Sequence, residues 1–113
     1  MVMTAKMGHI PSAFSIIEII STLYRSHLKF DSANPEWEGR DIFVLSKGHG
    51  CVALYVVLRE QGFLTENDLE EFCSPGGILG EHPDSMRVPG IEASTGSLGH
   101  GLPFAVGIAL GLK

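Results

Sequence analysis

The sequence predicts an α/β fold, a parallel sheet flanked by helices, of which this chain holds only part. The first reason is local: the run DIFVL at 41–45 is short, β-branched and aromatic, and it ends directly in the tight loop SKGHG at 46–50. Open α/β sheets place their ligand loops at the carboxyl ends of strands in this way. The second is the setting, because helical patterns lie on both sides of that strand. The third is a count: one strand cannot pair its own backbone, so the expected sheet draws on strands beyond those read here.

The elements follow in order. From Ser12 to about His27, apolar residues at Ile16, Ile19, Ile20 and Leu23 keep the spacing of three and four that marks an amphipathic helix, and Pro11 suits its start. Asp31 to Gly39 is rich in turn formers and reads as a loop. Cys51 to Leu58 could be strand or helix by composition. The helix is favoured because Arg59, Glu60 and Gln61 extend it and Gly62 with Phe63 supplies a left-handed stop. Thr65 caps a short acidic helix, with Asp68 in the capping-box position. Ser74 to Ala93 is a long stretch rich in proline and glycine, of the kind that is functional or disordered. From about His100 to Leu112 the chain is apolar on nearly every side, which predicts a buried helix.

Composition narrows the function. The 113 residues are 44% hydrophobic and 19% charged, as in an ordinary globular protein. Thirteen acidic residues against eight basic ones give a net charge of −5, which argues against nucleic acid or an acidic membrane surface as partner. Two cysteines, Cys51 and Cys73, form no disulfide framework or paired-thiol metal motif and suit a reducing, cytoplasmic setting. Glu18 interrupts the early apolar run, so no signal peptide is expected. The longest apolar run, Gly101 to Leu112, falls short of the roughly 20 residues a membrane span needs.

Four of the five histidines, His9, His49, His82 and His100, stand in loops beside glycine or proline, whereas His27 falls in a helix. An isolated loop histidine is most often a surface residue. Four in one setting point instead to imidazoles that hydrogen-bond hydroxyls, carbonyls or phosphates and move protons near neutral pH. His49 has the strongest case because it follows the strand. The spacings of 40, 33 and 18 residues put no pair on one helical face, which weighs against a metal centre. In TGSLGHG at 95–101, Gly96, Gly99 and Gly101 let the backbone turn and approach a ligand, and the following helix offers unpaired amides. That suits a diphosphate, and a glycine-rich turn capping a buried helix fits the same spacing equally well.

Taken in order, GHIPSAFSIIEIISTLY, DIFVLSKGHGCVALYVVL, GEHPD and EASTGSLGHGLPFAVGIALG resemble the opening of the transketolase family of thiamine diphosphate enzymes, from about residue 8 onward. The resemblance implies a partial thiamine diphosphate-binding fold, with residues 1–113 as the amino-terminal fragment of that domain. It implies substrate contact for His9, a place beside cofactor and substrate for His49, and a place near the reactive carbon for His82. His49 and His82 are the implied catalytic residues, and Gly96, Ser97 and Leu98 the implied cofactor contacts. His100 stands where many relatives have glutamine. The implied reaction moves a two-carbon ketol unit between sugar phosphates. The nearest rival is a 1-deoxyxylulose 5-phosphate synthase-type enzyme, and the alternative class is a non-catalytic assembly module.

Departures from the family pattern matter too. No Gly-Asp-Gly occurs, so the family's Mg2+ ligands are expected outside this sequence, as is the glutamate of the pyrimidine-binding module. The chain alone is therefore expected to be inactive, and a homodimer or a complementary subunit to complete the site. The first motif reads GHIPS rather than a glycine-rich form.

Overall fold

A computed structural model describes residues 1–113. It contains six helices: α1 (Val2–Ala5), α2 (Ile10–Phe14), α3 (Ile17–Ser26), α4 (Cys51–Glu60), α5 (Glu66–Glu70) and α6 (Gly101–Gly111), with a 3-10 turn at Gly48–Gly50 leading into α4. There is no β-strand. The α/β class expected from the sequence, a parallel sheet flanked by helices, therefore does not hold for this chain. A strand exists only through its ladder with a neighbour, and Asp41–Leu45 has none. Its ends are held otherwise: the Asp41 amide donates to the Lys29 carbonyl at 2.8 Å, and the Leu45 carbonyl accepts from the Thr95 hydroxyl at 2.6 Å.

The core is built around α4. Seven of its ten residues are buried, including Tyr55 and Leu58, and it packs against α2, α3 and α5. Each large apolar side chain so covered contributes about 1.5–3 kcal/mol. The helical reading of Cys51–Leu58 holds, and so does its stop. Gly62 takes φ +87, its amide bonds to the Arg59 carbonyl at 3.1 Å, and the Phe63 amide bonds to the Leu58 carbonyl at 2.9 Å. These are the paired bonds that close a helix through a left-handed residue. The capping box of α5 is also present, with the Asp68 amide donating to Thr65 Oγ1 at 3.2 Å and the Thr65 amide to Asp68 Oδ2 at 2.7 Å.

The helix expected from Ser12 to His27 is two helices. Ser15 Oγ donates back to the Ser12 carbonyl at 2.8 Å, a local bond that competes with helix continuation, and the break at Ser15 and Ile16 separates α2 from α3. From α3, Ile20 and Tyr24 reach the core, where Tyr24 meets Phe30 and Phe43 at ring-centre distances of 5.5 Å each. His27 lies just past the end of α3 and is exposed.

The long loop after α5 is ordered by side chains. Arg40 grips Glu92 with two bonds, at 2.8 and 3.0 Å, in a largely buried pair, and Arg87 donates to the Gly77 carbonyl at 2.6 Å. Leu79, Val88 and Ile91 enter the core. Helix α6 is a third correction. Although apolar, it is exposed along most of its length, with Leu102 at 68% and Leu110 at 64% accessible and only Gly101 buried. Its pattern demands burial, but these 113 residues cover only one side of it, where Ala105 and Ile108 are half-buried. No helix is long and apolar enough to cross a membrane.

Gly62→Ala would place a Cβ on a left-handed residue at a cost of about 1–2 kcal/mol. A lowered urea midpoint with an unchanged slope is the expected result.

Candidate functional site

Four loops, distant in sequence, meet at one end of α4. His9 precedes α2 and His49 sits in the 3-10 turn, while His82 belongs to the segment Gly80–Pro83. Their rings converge: His9 and His49 lie 4.8 Å apart, His49 and His82 4.7 Å, and His9 and His82 6.0 Å, measured between ring centres. The first two pairs are edge-to-face. Nδ1 of His9 and of His49 is buried and has no hydrogen-bond partner in the protein. A buried polar atom left unpaired is costly, so such atoms mark places where a ligand or water completes the bonding.

The fourth loop carries Gly96, whose backbone faces the His82 ring so closely that an added Cβ would lie 3.4 Å from Cδ2. Gly48 explains how the loops come together. A Cβ there would fall 2.6 Å from the Thr95 carbonyl oxygen and 2.9 Å from the Gly96 amide nitrogen, so only glycine permits this approach. The buried Thr95 hydroxyl then ties the same loop to the Leu45 carbonyl. Gly101, at the start of α6, packs directly on Ser46. The amino terminus of α6, which has no side-chain cap, is thus held next to the SKGHG loop.

Ser97 and Leu98 lie on the exposed rim, Leu98 being 71% accessible, and His100 is exposed as well. They form a turn in which the His100 amide bonds to the Ser97 carbonyl at 3.3 Å. Beside His82, an open groove of about 410 Å³ is lined by His82, Pro83, Asp84, Ser94 and Thr95. No group of three or more histidine, cysteine, aspartate or glutamate side chains is placed to hold a metal ion.

Two buried residues of α4 hold His82, and sequence reasoning missed this role for both. The Tyr55 hydroxyl lies 3.0 Å from the Gly80 carbonyl and 2.9 Å from that of His82, and Cys51 Sγ donates to the Glu81 carbonyl at 3.0 Å. Burial pushes the Cys51 thiol up to about 11 and raises the Tyr55 phenol as well, so both keep the protons they donate. The sequence did contain a signal, since Cys51 and Tyr55 are one helical turn apart on the same face. It gave no sign that their partners would be carbonyls some 25 to 30 residues away.

The fold of the chain is shared with known proteins. Residues 1–113 match the family described as the transketolase thiamine diphosphate binding domain. The chain belongs to the transketolase family. A transketolase from Leishmania mexicana of known structure superposes with a TM-score of 0.85 at 38% identity, covering 96% of this chain and 16% of that one. The 6-deoxy-6-sulfo-D-fructose transketolase subunit of Clostridium sp. (strain MSTE9) is 43% identical over 107 residues, 95% of this chain and 39% of its own length. Transketolase 1 of Vibrio parahaemolyticus is 42% identical over 113 residues, 99% of this chain and 17% of its own length. An apulose-4-phosphate transketolase subunit of Phocaeicola vulgatus is 41% identical over 109 residues, 96% of this chain and 38% of its own length. The chain thus spans well under half of each of these transketolase relatives.

Thr95→Val would leave the Leu45 carbonyl buried without its donor, a loss of about 1–3 kcal/mol. Thr95→Ser, which keeps the hydroxyl, is expected to retain most of that stability in the same denaturation experiment.

Proposed function

We propose that this chain forms part of the cofactor and substrate site of a thiamine diphosphate-dependent enzyme that transfers a two-carbon ketol unit between sugar phosphates. The observation that carries this reading is the meeting of the His9, His49 and His82 rings beside the Gly96 backbone. Residues 1–113 are read as the amino-terminal part of the cofactor-binding domain.

The residues present suit the organic cofactor. Two buried imidazole nitrogens await a partner, the backbone is bare at Gly96, and an uncapped helix terminus adjoins the loop. Mg2+ would take its ligands from outside these residues. When bound, thiamine diphosphate supplies the electron sink for carbon–carbon cleavage. Gly96, Ser97 and Leu98 offer backbone contacts to it, and His49 borders both cofactor and substrate. His49 and His82 can hold or pass a proton at a substrate oxygen, and His9 with His82 binds substrate hydroxyls.

A homodimer or a complementary subunit carrying the pyrimidine-binding module would complete the site. Two relatives are named as subunits, which favours the second arrangement. The free cysteines Cys51 and Cys73 fit a cytoplasmic enzyme.

The test uses the complete enzyme, assayed for aldose phosphate released from a ketose phosphate donor. His49→Ala and His82→Ala are expected to lower kcat by about 10²–10⁴-fold. His9→Ala should act mainly on KM. Undiminished transfer by both of the first two variants would overturn the reading, and turnover of pyruvate in place of the ketose phosphate would point to a 1-deoxyxylulose 5-phosphate synthase-type reaction.

A further inference from the structure

We infer that Glu81 is a positioning residue for His9, fixing the loop that carries His9 against the loop that carries His82. The inference rests on the reading of His9 as a substrate-binding residue.

The Gly8 amide donates to Glu81 Oε1 at 3.2 Å across 73 residues of sequence. One residue further along each loop, the rings of His9 and His82 face each other at 6.0 Å. Adjacent residues of one loop thus engage adjacent residues of the other: a carboxylate holds a backbone amide, and beside it two imidazoles meet. The loop of Glu81 is itself immobilised, because the carbonyls of Gly80, Glu81 and His82 are bonded to Tyr55 and Cys51 of the buried helix α4. The carboxylate therefore extends from a fixed base.

His9 lacks such support of its own. Its Nδ1 has no partner in the protein, so no hydrogen bond at that atom orients the ring. Its backbone carbonyl is engaged by the Ala13 amide at 3.1 Å as α2 begins, and on the other side the position of the chain is set at Gly8. The amide proton needs only a side-chain oxygen at this reach, a requirement that a carboxylate or a side-chain amide carbonyl meets. Glu81 acts on His9 through the backbone and touches none of the reacting atoms, which distinguishes its role from that of its neighbour His82.

The experiment compares Glu81→Ala, Glu81→Asp and Glu81→Gln in the complete enzyme. Glutamine keeps a carbonyl oxygen at the same reach, whereas aspartate is one methylene too short. Histidine ring resonances are recorded by NMR, with the His9 signal assigned by its disappearance in His9→Asn, and KM and kcat are measured for a ketose phosphate donor. Glu81→Ala and Glu81→Asp are expected to shift or broaden the His9 signal while leaving in place that of the exposed His27, which lies outside the cluster of three rings. They should raise KM about tenfold with little change in kcat, the effect of about one lost hydrogen bond. Glu81→Gln should restore both. An unmoved His9 signal in Glu81→Asp, or failure of Glu81→Gln to restore it, overturns the inference. Should Glu81→Ala fail to fold, the Asp and Gln pair decides. A wild-type enzyme without ketol transfer would defeat the proposed function, yet the NMR comparison would still decide whether Glu81 positions His9.

Discussion

Three consecutive carbonyls, those of Gly80, Glu81 and His82, are bonded by two side chains one turn apart on α4, and the rest of the site is arranged around that grip. A loop cannot enter a protein interior with its backbone groups unpaired. Here the donors come from a helix that is itself almost wholly buried, so the loop inherits the rigidity of the core. Tyr55 is fully inaccessible, and its single proton is shared between two acceptors. A phenylalanine would fill the same space, leaving the His82 carbonyl without a donor and the Gly80 carbonyl with only the Cys51 thiol at 3.8 Å.

The second constraint is steric. Gly48 lies against the Thr95 carbonyl and the Gly96 amide, and the Thr95 hydroxyl closes on Leu45 from the same side. Attraction and lack of bulk therefore act at one point. This contact brings the 3-10 turn of His49 up to the glycine loop, while the start of α4 brings it up to His82. Farther away, the Arg40–Glu92 pair and the cluster of Tyr24, Phe30, Phe43 and Phe63 hold the outer loops. The Arg40–Glu92 pair is largely shielded from solvent and bidentate, unlike the exposed pairs Arg25–Glu60 and Arg59–Glu66, which contribute little.

Two segments separate intrinsic pattern from realised structure. Asp41–Leu45 has the composition of a strand, and α6 has that of a buried helix. In the structure neither finds a partner that would complete it, although Ile42 and Val44 do share a groove with Ala105, Ile108, Ala109 and Leu112. A run of apolar residues says that water should be excluded; it does not say by what. The same holds for Ser12 to His27, where the apolar spacing was right and the break at Ser15 was invisible, because it depends on a serine hydroxyl choosing its own backbone.

The sequence alone determined what is local: the helix over Cys51 and its glycine stop, the capping box at Thr65, the presence of histidines in glycine-bearing loops, and the motif order that identifies the family. Periodicity and capping act over a few residues, so they can be read in one dimension. Tertiary structure alone decided that His9, His49 and His82 share one cluster, that Gly48 is required by the Thr95 carbonyl, and that Glu81, Tyr55 and Cys51 support the site. Those contacts join residues tens of positions apart, and their partners are mostly backbone atoms, which every residue possesses and no sequence pattern distinguishes.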